Sequence, residues 1–138
     1  MAEKWLVVAA VIERGGRFLL GKRSLTKSSA PGFWHAICGR VEFGESEMDA
    51  VQREVLEETG LRVRATEPVW QADTRDGTAR IHWWRVELLD ERPAQLLEEE
   101  HSELRWVSAQ EMRHLEPVFT EDWALFARLS DGTLRTKE

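Results

Sequence analysis

Runs of apolar residues along the chain predict strands and helices in alternation. The continuous apolar segment Trp5–Ile12 predicts a buried strand, and the glycines of Glu13–Gly16 predict a tight turn into a second strand over Arg17–Leu20. Further strands are predicted at Phe33–Ile37, Leu61–Val63, Val69–Ala72, Ala79–Leu89 and Leu104–Val107.

The main helix is predicted from its two ends. Ser46 and Asp49 form a capping-box pattern, and Gly60 is placed where a helix closes with a left-handed residue, so we expect a helix of about three to four turns between them. Two more helices are predicted, one starting at a capping box of Ser108 and Glu111 and one running from Thr120 through Leu129. Because no repeat or linker interrupts this order, the sequence predicts one α/β domain over residues 1–138.

Composition and charge narrow the class of protein. Hydrophobic residues make up 42% and charged residues 32% of the chain, as in ordinary globular domains. The net charge of −6 opposes binding to nucleic acid polymers and to anionic membrane surfaces. The longest apolar run is too short to span a bilayer, and Met1-Ala-Glu-Lys lacks the form of a signal peptide. We therefore expect a cytoplasmic protein that has neither a membrane nor a nucleic acid polymer as partner.

The predicted main helix has one strongly acidic side. Glu54, Glu57 and Glu58 are spaced i, i+3 and i+4, so they fall within one arc of the helix. Like charges at these spacings each destabilise an isolated helix by about 0.2–0.5 kcal/mol. Either the arc is simply a solvated acidic face, or a cation offsets it, and hard oxygen ligands favour Mg²⁺ with Mn²⁺ as a substitute. The neighbouring arc carries Met48, Val51, Val55 and Thr59, which are predicted to pack on the sheet.

Residues 39–61 resemble the signature of the Nudix hydrolases, G-x(5)-E-x(7)-R-E-U-x-E-E-x-G-U, where U is aliphatic. The segment reads GRVEFGESEMDAVQREVLEETGL, and its defined positions are Gly39, Glu45, Arg53, Glu54, Val55, Glu57, Glu58, Gly60 and Leu61. The resemblance implies the Nudix fold, an α/β/α sandwich with a mixed β-sheet. It also implies hydrolysis of a nucleoside diphosphate linked to a further group, as in the MutT-like members.

The resemblance assigns roles to the acidic residues. Glu54, Glu57 and Glu58 resemble the family's metal ligands, with Glu54 or a distant glutamate supplying the base. Arg53 resembles the residue that orients the catalytic carboxylate, and Glu45 resembles the glutamate that braces the loop.

The lead-in to the signature departs from the family pattern at Ile37 and Cys38. Members commonly have Pro-Gly-Gly at the start of the signature, where this chain has Ile37-Cys38-Gly39. The residue at this position can offer its backbone carbonyl to the metal, which implies the same role for Cys38 because a carbonyl survives a side-chain change. As the single cysteine, Cys38 excludes an intramolecular disulfide, and we expect it to pack as a small hydrophobe.

A second acidic group precedes the predicted strand at Leu104. In MutT-like members a loop glutamate from this region supplies a metal contact or the base, and Glu100 is the best match, with Glu98, Glu99 and Glu103 as alternatives. The loop could also be only solvated. We expect the adjacent His101 to be structural or exposed rather than a ligand, because the predicted site is built of oxygen donors.

Candidate substrate contacts are spread along the chain. Lys22 and Arg23 resemble basic residues that touch phosphate or base in MutT-like enzymes. Asp122 resembles an acid of bacterial CTP pyrophosphohydrolases that could accept from the cytosine amino group. Trp34 is a candidate stacking surface, as are Trp83, Trp84 and Trp123, although large aromatic residues favour the core.

The sequence therefore predicts a Mg²⁺-dependent hydrolase that converts a nucleoside or deoxynucleoside triphosphate to the monophosphate and pyrophosphate. The alternatives are a hydrolase of NDP-sugars, ADP-ribose or dinucleoside polyphosphates, and a non-catalytic module that senses a nucleotide. We expect a monomer or a homodimer.

Overall fold

Two β-sheets form the framework of the protein, which the computed structural model describes for residues 4–28, 30–119, 122, 125 and 127–129. Within these residues the elements, in chain order, are β1 (Trp5–Val11), β2 (Glu13–Arg14), β3 (Arg17–Arg23), β4 (Trp34–Ala36), β5 (Cys38–Arg40), α1 (Glu47–Thr59), β6 (Val63–Asp73), β7 (Ala79–Leu88), β8 (His101–Ser108) and α2 (Ala109–Met112). Asp122, Leu125 and residues 127–129 are also helical.

The first sheet has the strand order β5-β1-β7-β6. β1 runs parallel to β7 and antiparallel to β5, and β6 runs antiparallel to β7, so the mixed sheet that was predicted is confirmed. In the second sheet β3 pairs antiparallel with β2, β4 and β8. Strands that are far apart in the sequence, such as β1 and β7 or β3 and β8, thereby lie next to each other.

Apolar side chains of β1 alternate between two hydrophobic cores, as the two-residue period of a strand requires. Val8 and Ala10 face α1 and pack against its buried Val51 and Val55. The next positions along β1 face the second sheet, in a core that contains Ala9, Val11, Phe18, Leu20, Trp34, Ala36, Trp83, Val107, Met112 and Leu125. The first sheet is therefore covered on both faces, which is the layered arrangement expected from the sequence.

Both ends of α1 lie where the capping signals predicted them. The Ser46 side chain accepts a hydrogen bond from the Asp49 backbone N–H at 3.1 Å, and Gly60 closes the helix with φ = 75°. Ser108 and Glu111 likewise complete the predicted capping box of α2. The packing face of α1 differs from prediction at Met48, which lies in the first turn of the helix and is 43% exposed.

Three strand predictions were wrong in extent. The predicted strand Val69–Ala72 and the last residue of the predicted strand Leu61–Val63 belong to one long strand, β6, whose register shifts near Glu67 and Pro68 hide its continuity in the sequence. β8 begins at His101, three residues before the predicted start at Leu104. The predicted helix start at Thr120, Trp123 and the tail from residue 130 lie outside the described residues. No described helix has the length and apolar character needed to cross a membrane.

Candidate active site

Three glutamates project from one side of α1 into environments of very different exposure. The side chain of Glu57 is 48% exposed, that of Glu54 16% and that of Glu58 only 2%. The acidic side of the helix thus divides into a more exposed part, which holds Glu57 and Glu54, and a buried part, which holds Glu58. We call these the exposed part and the buried part.

Arg53 connects the carboxylates of the exposed part. Its Nε and Nη2 donate to the two carboxylate oxygens of Glu45 at 2.7 and 2.9 Å. Its Nη1 donates to Glu54 at 2.9 Å and to Glu57 at 3.2 Å. The hydrogen bonds from Arg53 lower the pKa of Glu45 to about 2. Because Glu45 also accepts from the backbone N–H of Glu42 at 3.0 Å, it ties the loop before α1 to the helix.

Gly39 of β5 leaves space that the Glu54 carboxylate fills. A Cβ atom at residue 39 would lie 2.1 Å from Cδ of Glu54, far inside van der Waals contact. Burial in this space raises the pKa of the Glu54 carboxyl, while the Arg53 guanidinium opposes the rise. The first glycine of the signature is therefore needed because any side chain there would overlap the Glu54 carboxylate.

Glu58 lies in the buried part beside two histidines. Its Oε1 is 3.4 Å from His101 Nδ1, without a completed hydrogen bond, and His101 Nε2 is 3.1 Å from His35 Nε2. The Sγ atom of Cys38 lies 3.6 Å from His35 Nδ1. Burial raises the pKa of the Glu58 carboxyl far above its ordinary range, and the neighbouring Glu54 carboxylate adds to the rise. Burial lowers the pKa of His35 to about 3 and lowers that of His101, so both rings are neutral.

Cys38 has the environment of a packed side chain rather than of a nucleophile. It packs against the core that lies between the two sheets. Burial raises the pKa of its thiol well above the ordinary value, and the charge of Glu58 adds to this effect. The backbone of Cys38 pairs with Ala9 of β1.

The acidic loop before β8 is attached to the C-terminal end of α1. The backbone N–H groups of Gln95 and Leu97 donate to the carbonyls of Thr59 and Glu58 at 2.9 and 3.3 Å, and so satisfy carbonyls that have no partner within the helix. These hydrogen bonds hold the loop next to the backbone of the buried Glu58.

The four candidate loop glutamates differ in their surroundings. The charges of Glu100 and Glu98 reach Glu58 and contribute to the rise of its pKa. Glu100 is 57% exposed and lies 3.8 Å from Lys27, whereas Glu103 pairs with Arg105 at 2.8 Å. Glu99 is exposed. The charges of Glu100 and Glu98 therefore act on Glu58, whereas Glu103 is paired with Arg105.

A cavity of about 190 Å³ opens between the two sheets beside these groups. Its polar lining includes Arg23, His35, Thr74 and Asp122, and the last of these is only 5% exposed. Trp83 contributes to the wall, and its indole N–H has no hydrogen-bond partner among the described residues. Two predicted substrate contacts, Arg23 and Asp122, are thus brought together although they are far apart in the sequence.

Two other predicted contacts lie elsewhere. Trp34 is 4% exposed in the core, and the guanidinium of Arg105 lies 4.7 Å from the centre of its ring. The Nζ atom of Lys22 lies 5.9 Å from the same ring. Neither residue lines the cavity, so the geometry gives no support to stacking of a base on Trp34.

The donor set fits a divalent cation. Neither oxygen of Glu58 has a hydrogen-bond partner among the described residues, and a buried carboxylate in that condition is unfavourable unless a positive charge joins it. The carboxylate oxygens are ligands of the type that Mg²⁺ and Mn²⁺ prefer. Over the described ranges, no three acidic, histidine or cysteine side chains already surround one point. Glu57 would have to turn away from Arg53 to join Glu54 and Glu58.

Sequence reasoning missed His35 entirely and did not connect His101 to the site. The two residues are 66 positions apart, and no local pattern pairs them. The one available signal was that His101 directly follows the candidate Glu100.

Comparison with known proteins identifies a family and several similar proteins. The family model of the NUDIX domain matches residues 4–129. The CTP pyrophosphohydrolase of Escherichia coli (strain K12) is 36% identical over 107 residues, which cover 76% of this chain and 76% of that protein. The putative 8-oxo-dGTP diphosphatase 2 of Mycobacterium tuberculosis (strain CDC 1551 / Oshkosh) is 34% identical over 116 residues, which cover 82% and 79%. The crystal structure of a MutT protein from Methanosarcina mazei Go1 matches with a TM-score of 0.81 at 26% identity, over 98% of this chain and 100% of that one.

Proposed function

Because this chain belongs to the NUDIX family and is a hydrolase of pyrophosphate bonds, we propose that it is a Mg²⁺-dependent enzyme that cleaves a nucleoside or deoxynucleoside triphosphate to the monophosphate and pyrophosphate. The observation that carries the proposal is the buried carboxylate of Glu58, without a hydrogen-bond partner among the described residues, beside Glu54. An ionised carboxylate is unfavourable in this position unless a cation joins it.

Glu54, Glu57 and Glu58 would hold the divalent cation. When bound, Mg²⁺ or Mn²⁺ supplies positive charge to the phosphate oxygens and makes a coordinated water more acidic. This charge also explains how a chain of net charge −6 accepts a polyanion. The backbone carbonyl of Cys38 and the side chain of Glu100 are further candidate ligands.

The chain's own residues position the reacting groups. Arg53 fixes the carboxylates of Glu54 and Glu57 through charge-assisted hydrogen bonds, which limits their rotation. Glu54 or Glu100 would take the proton of the attacking water. Arg23 would face the anionic part of the substrate from the cavity wall.

We propose a cytosine nucleotide as the first substrate to test. The Asp122 carboxylate in the cavity is an acceptor for an exocyclic amino group, which cytosine carries at N4. The E. coli relative is a CTP pyrophosphohydrolase, and the M. tuberculosis relative, a putative 8-oxo-dGTP diphosphatase, makes an oxidised purine the second substrate to test.

The testing experiment is a hydrolysis screen with Mg²⁺ across CTP, dCTP, 8-oxo-dGTP, ADP-ribose and sugar nucleotides, with separate assays for pyrophosphate and orthophosphate. We expect pyrophosphate from a triphosphate, and loss of turnover in EDTA that Mg²⁺ or Mn²⁺ restores. Release of orthophosphate alone would redirect the assignment to a phosphatase.

Glu57→Gln tests the role of the triad directly. It should lower turnover with Mg²⁺ by about 10²- to 10³-fold, because charge stabilisation at the reacting phosphate is a large part of such catalysis. Its matched control is Glu87→Gln, which removes an exposed carboxylate paired with Arg64 and should leave turnover unchanged. Near-normal turnover of Glu57→Gln would remove Glu57 from the mechanism.

A further inference from the structure

A row of buried polar contacts connects Glu58 with the wall of the cavity. It runs from Cys38 Sγ to His35 Nδ1 at 3.6 Å, from His35 Nε2 to His101 Nε2 at 3.1 Å, and from His101 Nδ1 to Glu58 Oε1 at 3.4 Å. His35, His101 and Glu58 are 6%, 4% and 2% exposed. Because these groups are shielded from water, they depend on neighbouring protein atoms for hydrogen bonds, and the contact between His101 Nδ1 and Glu58 Oε1 brings the two atoms close without completing one.

The contact between the two Nε2 atoms restricts which nitrogen of each histidine carries the hydrogen. One of the facing nitrogens must carry the hydrogen and the other must accept it. If Glu58 is ionised, as a metal ligand is, His101 donates from Nδ1 and accepts at Nε2. His35 then donates from Nε2, and its Nδ1 accepts from the Cys38 thiol. Each contact in the row thus has one donor and one acceptor.

Packing fixes the orientation of the rings. A Cβ atom at Gly21 of β3 would lie 2.6 Å from Cδ2 and 2.8 Å from Nε2 of His101, so the imidazole occupies the space that a side chain would need. The ring of His35 meets Phe119 edge-on at 6.1 Å. The row is therefore held by its surroundings as well as by its own contacts.

We propose that His101, held in turn by His35, is a positioning residue that orients the Glu58 carboxylate toward the divalent cation. The inference rests on the proposed function, since it takes Glu58 as a metal ligand. A neutral N–H fixes one carboxylate oxygen and leaves the negative charge available to the cation, whereas a cationic partner such as Arg53 would compete for it.

Metal affinity measured without nucleotide tests this role apart from catalysis. Mn²⁺ binding to the full chain is followed by calorimetry or electron paramagnetic resonance. His101→Phe keeps an aromatic ring against Gly21 but has no donor, and it should bind Mn²⁺ about 10- to 100-fold more weakly than wild type. His101→Asn places an amide nitrogen at the position of Nδ1 and should lose less than about tenfold. The matched control is His114→Phe at an exposed histidine, which should bind like wild type.

Tautomers read by ¹⁵N NMR in Mg²⁺-saturated wild-type protein give a second readout that does not depend on a variant's folding. We expect the Nδ1–H form for His101 and the Nε2–H form for His35. The opposite tautomers would overturn the inference.

The outcomes separate the inference from the proposed function. Unchanged Mn²⁺ affinity in a folded His101→Phe variant, with wild type binding normally, overturns the positioning role alone. Equal losses in His101→Phe and His101→Asn would show that packing rather than the donor matters, and would also overturn it. Wild-type protein that binds no Mn²⁺ overturns the proposed function itself.

Discussion

In the exposed part of the acidic face, Arg53 compensates Glu45, Glu54 and Glu57 with its own charge, whereas in the buried part Glu58 faces the neutral ring of His101. Arg53 and Glu57 are 22% and 48% exposed, so water weakens the attraction between them, whereas Glu45 and Glu54 are only 15% and 16% exposed. A resident cation beside Glu58 would satisfy it permanently in a low-dielectric environment. The difference indicates that the fold organises one part of the site by ion pairing and keeps the other part uncompensated for an incoming cation.

Gly39→Ala should break the exposed part most severely. The new Cβ would lie 2.1 Å from Glu54 Cδ, so the carboxylate would have to move by more than about 1 Å, and a misplacement of about 1 Å costs on the order of 10²-fold in rate. The steady-state rate with Mg²⁺ is the measurement. Gly77→Ala is the control, because it strains a left-handed turn that has open space around it and should lower stability without lowering the rate. Equal rates for Gly39→Ala and wild type would show that Glu54 tolerates displacement.

Arg53→Lys sharpens the comparison by keeping the charge and removing the planar fork. Lysine cannot pair with Glu45 through two parallel hydrogen bonds while it also holds Glu54 and Glu57. We expect turnover to fall by about 10- to 10²-fold, with a much smaller change in KM. If Arg53→Lys retained full turnover, charge alone would suffice to organise the exposed part.

Glu58→Gln should have opposite effects on stability and on metal binding. A neutral amide removes the need to bury a carboxyl group, so without metal the unfolding temperature should rise by about 2–6 °C. The same variant should lose the stabilisation that Mg²⁺ gives to wild type. Scanning calorimetry in EDTA and in Mg²⁺ measures both effects. Glu57→Gln, from the exposed part, should show no rise in EDTA, and a rise in both variants would erase the distinction between the two parts.

The smallest effect concerns the acid stability that Glu45 provides. Its pKa in the folded protein, about 2, lies below the ordinary value of 4.5. Its pairing with Arg53 therefore stabilises the fold fully above about pH 4.5, and this contribution is lost as the pH falls toward 2. The difference in urea midpoint between wild type and Glu45→Gln should narrow from pH 7 to pH 3. The control Glu87→Gln removes an exposed carboxylate that pairs with the exposed Arg64, and it should differ little from wild type at either pH.

Local signals were enough to predict the helix that carries the candidate metal ligands. Ser46 and Gly60 define the ends of α1 through hydrogen bonds within a few residues, so the sequence contains the whole signal. β6 was misread because its bulges interrupt the two-residue alternation around Glu67. A regular alternation is what the prediction depends on, and an inserted residue shifts it.

Other features of the site depend on tertiary packing and have no local signal. That Gly39 accommodates Glu54 depends on how β5 meets α1, and that Gly21 accommodates His101 depends on the pairing of β3 with β8. The different exposure of Glu57 and Glu58, which are adjacent in the sequence, follows from which elements cover the helix. Helical periodicity placed them on one arc and could not distinguish them.

The hydrogen bonds from Gln95 and Leu97 to the end of α1 divide the connection between β7 and β8 into two segments that differ in their tolerance of length changes. An insertion before Gln95 would bulge into solvent, because surface loops absorb extra residues at small entropic expense. An insertion between Leu97 and His101 would change the span between the helix end and the start of β8, and would shift the acidic side chains against their neighbours. Engineered tags or extended loops therefore belong in the first segment, where they should leave the positions of the acidic side chains unchanged.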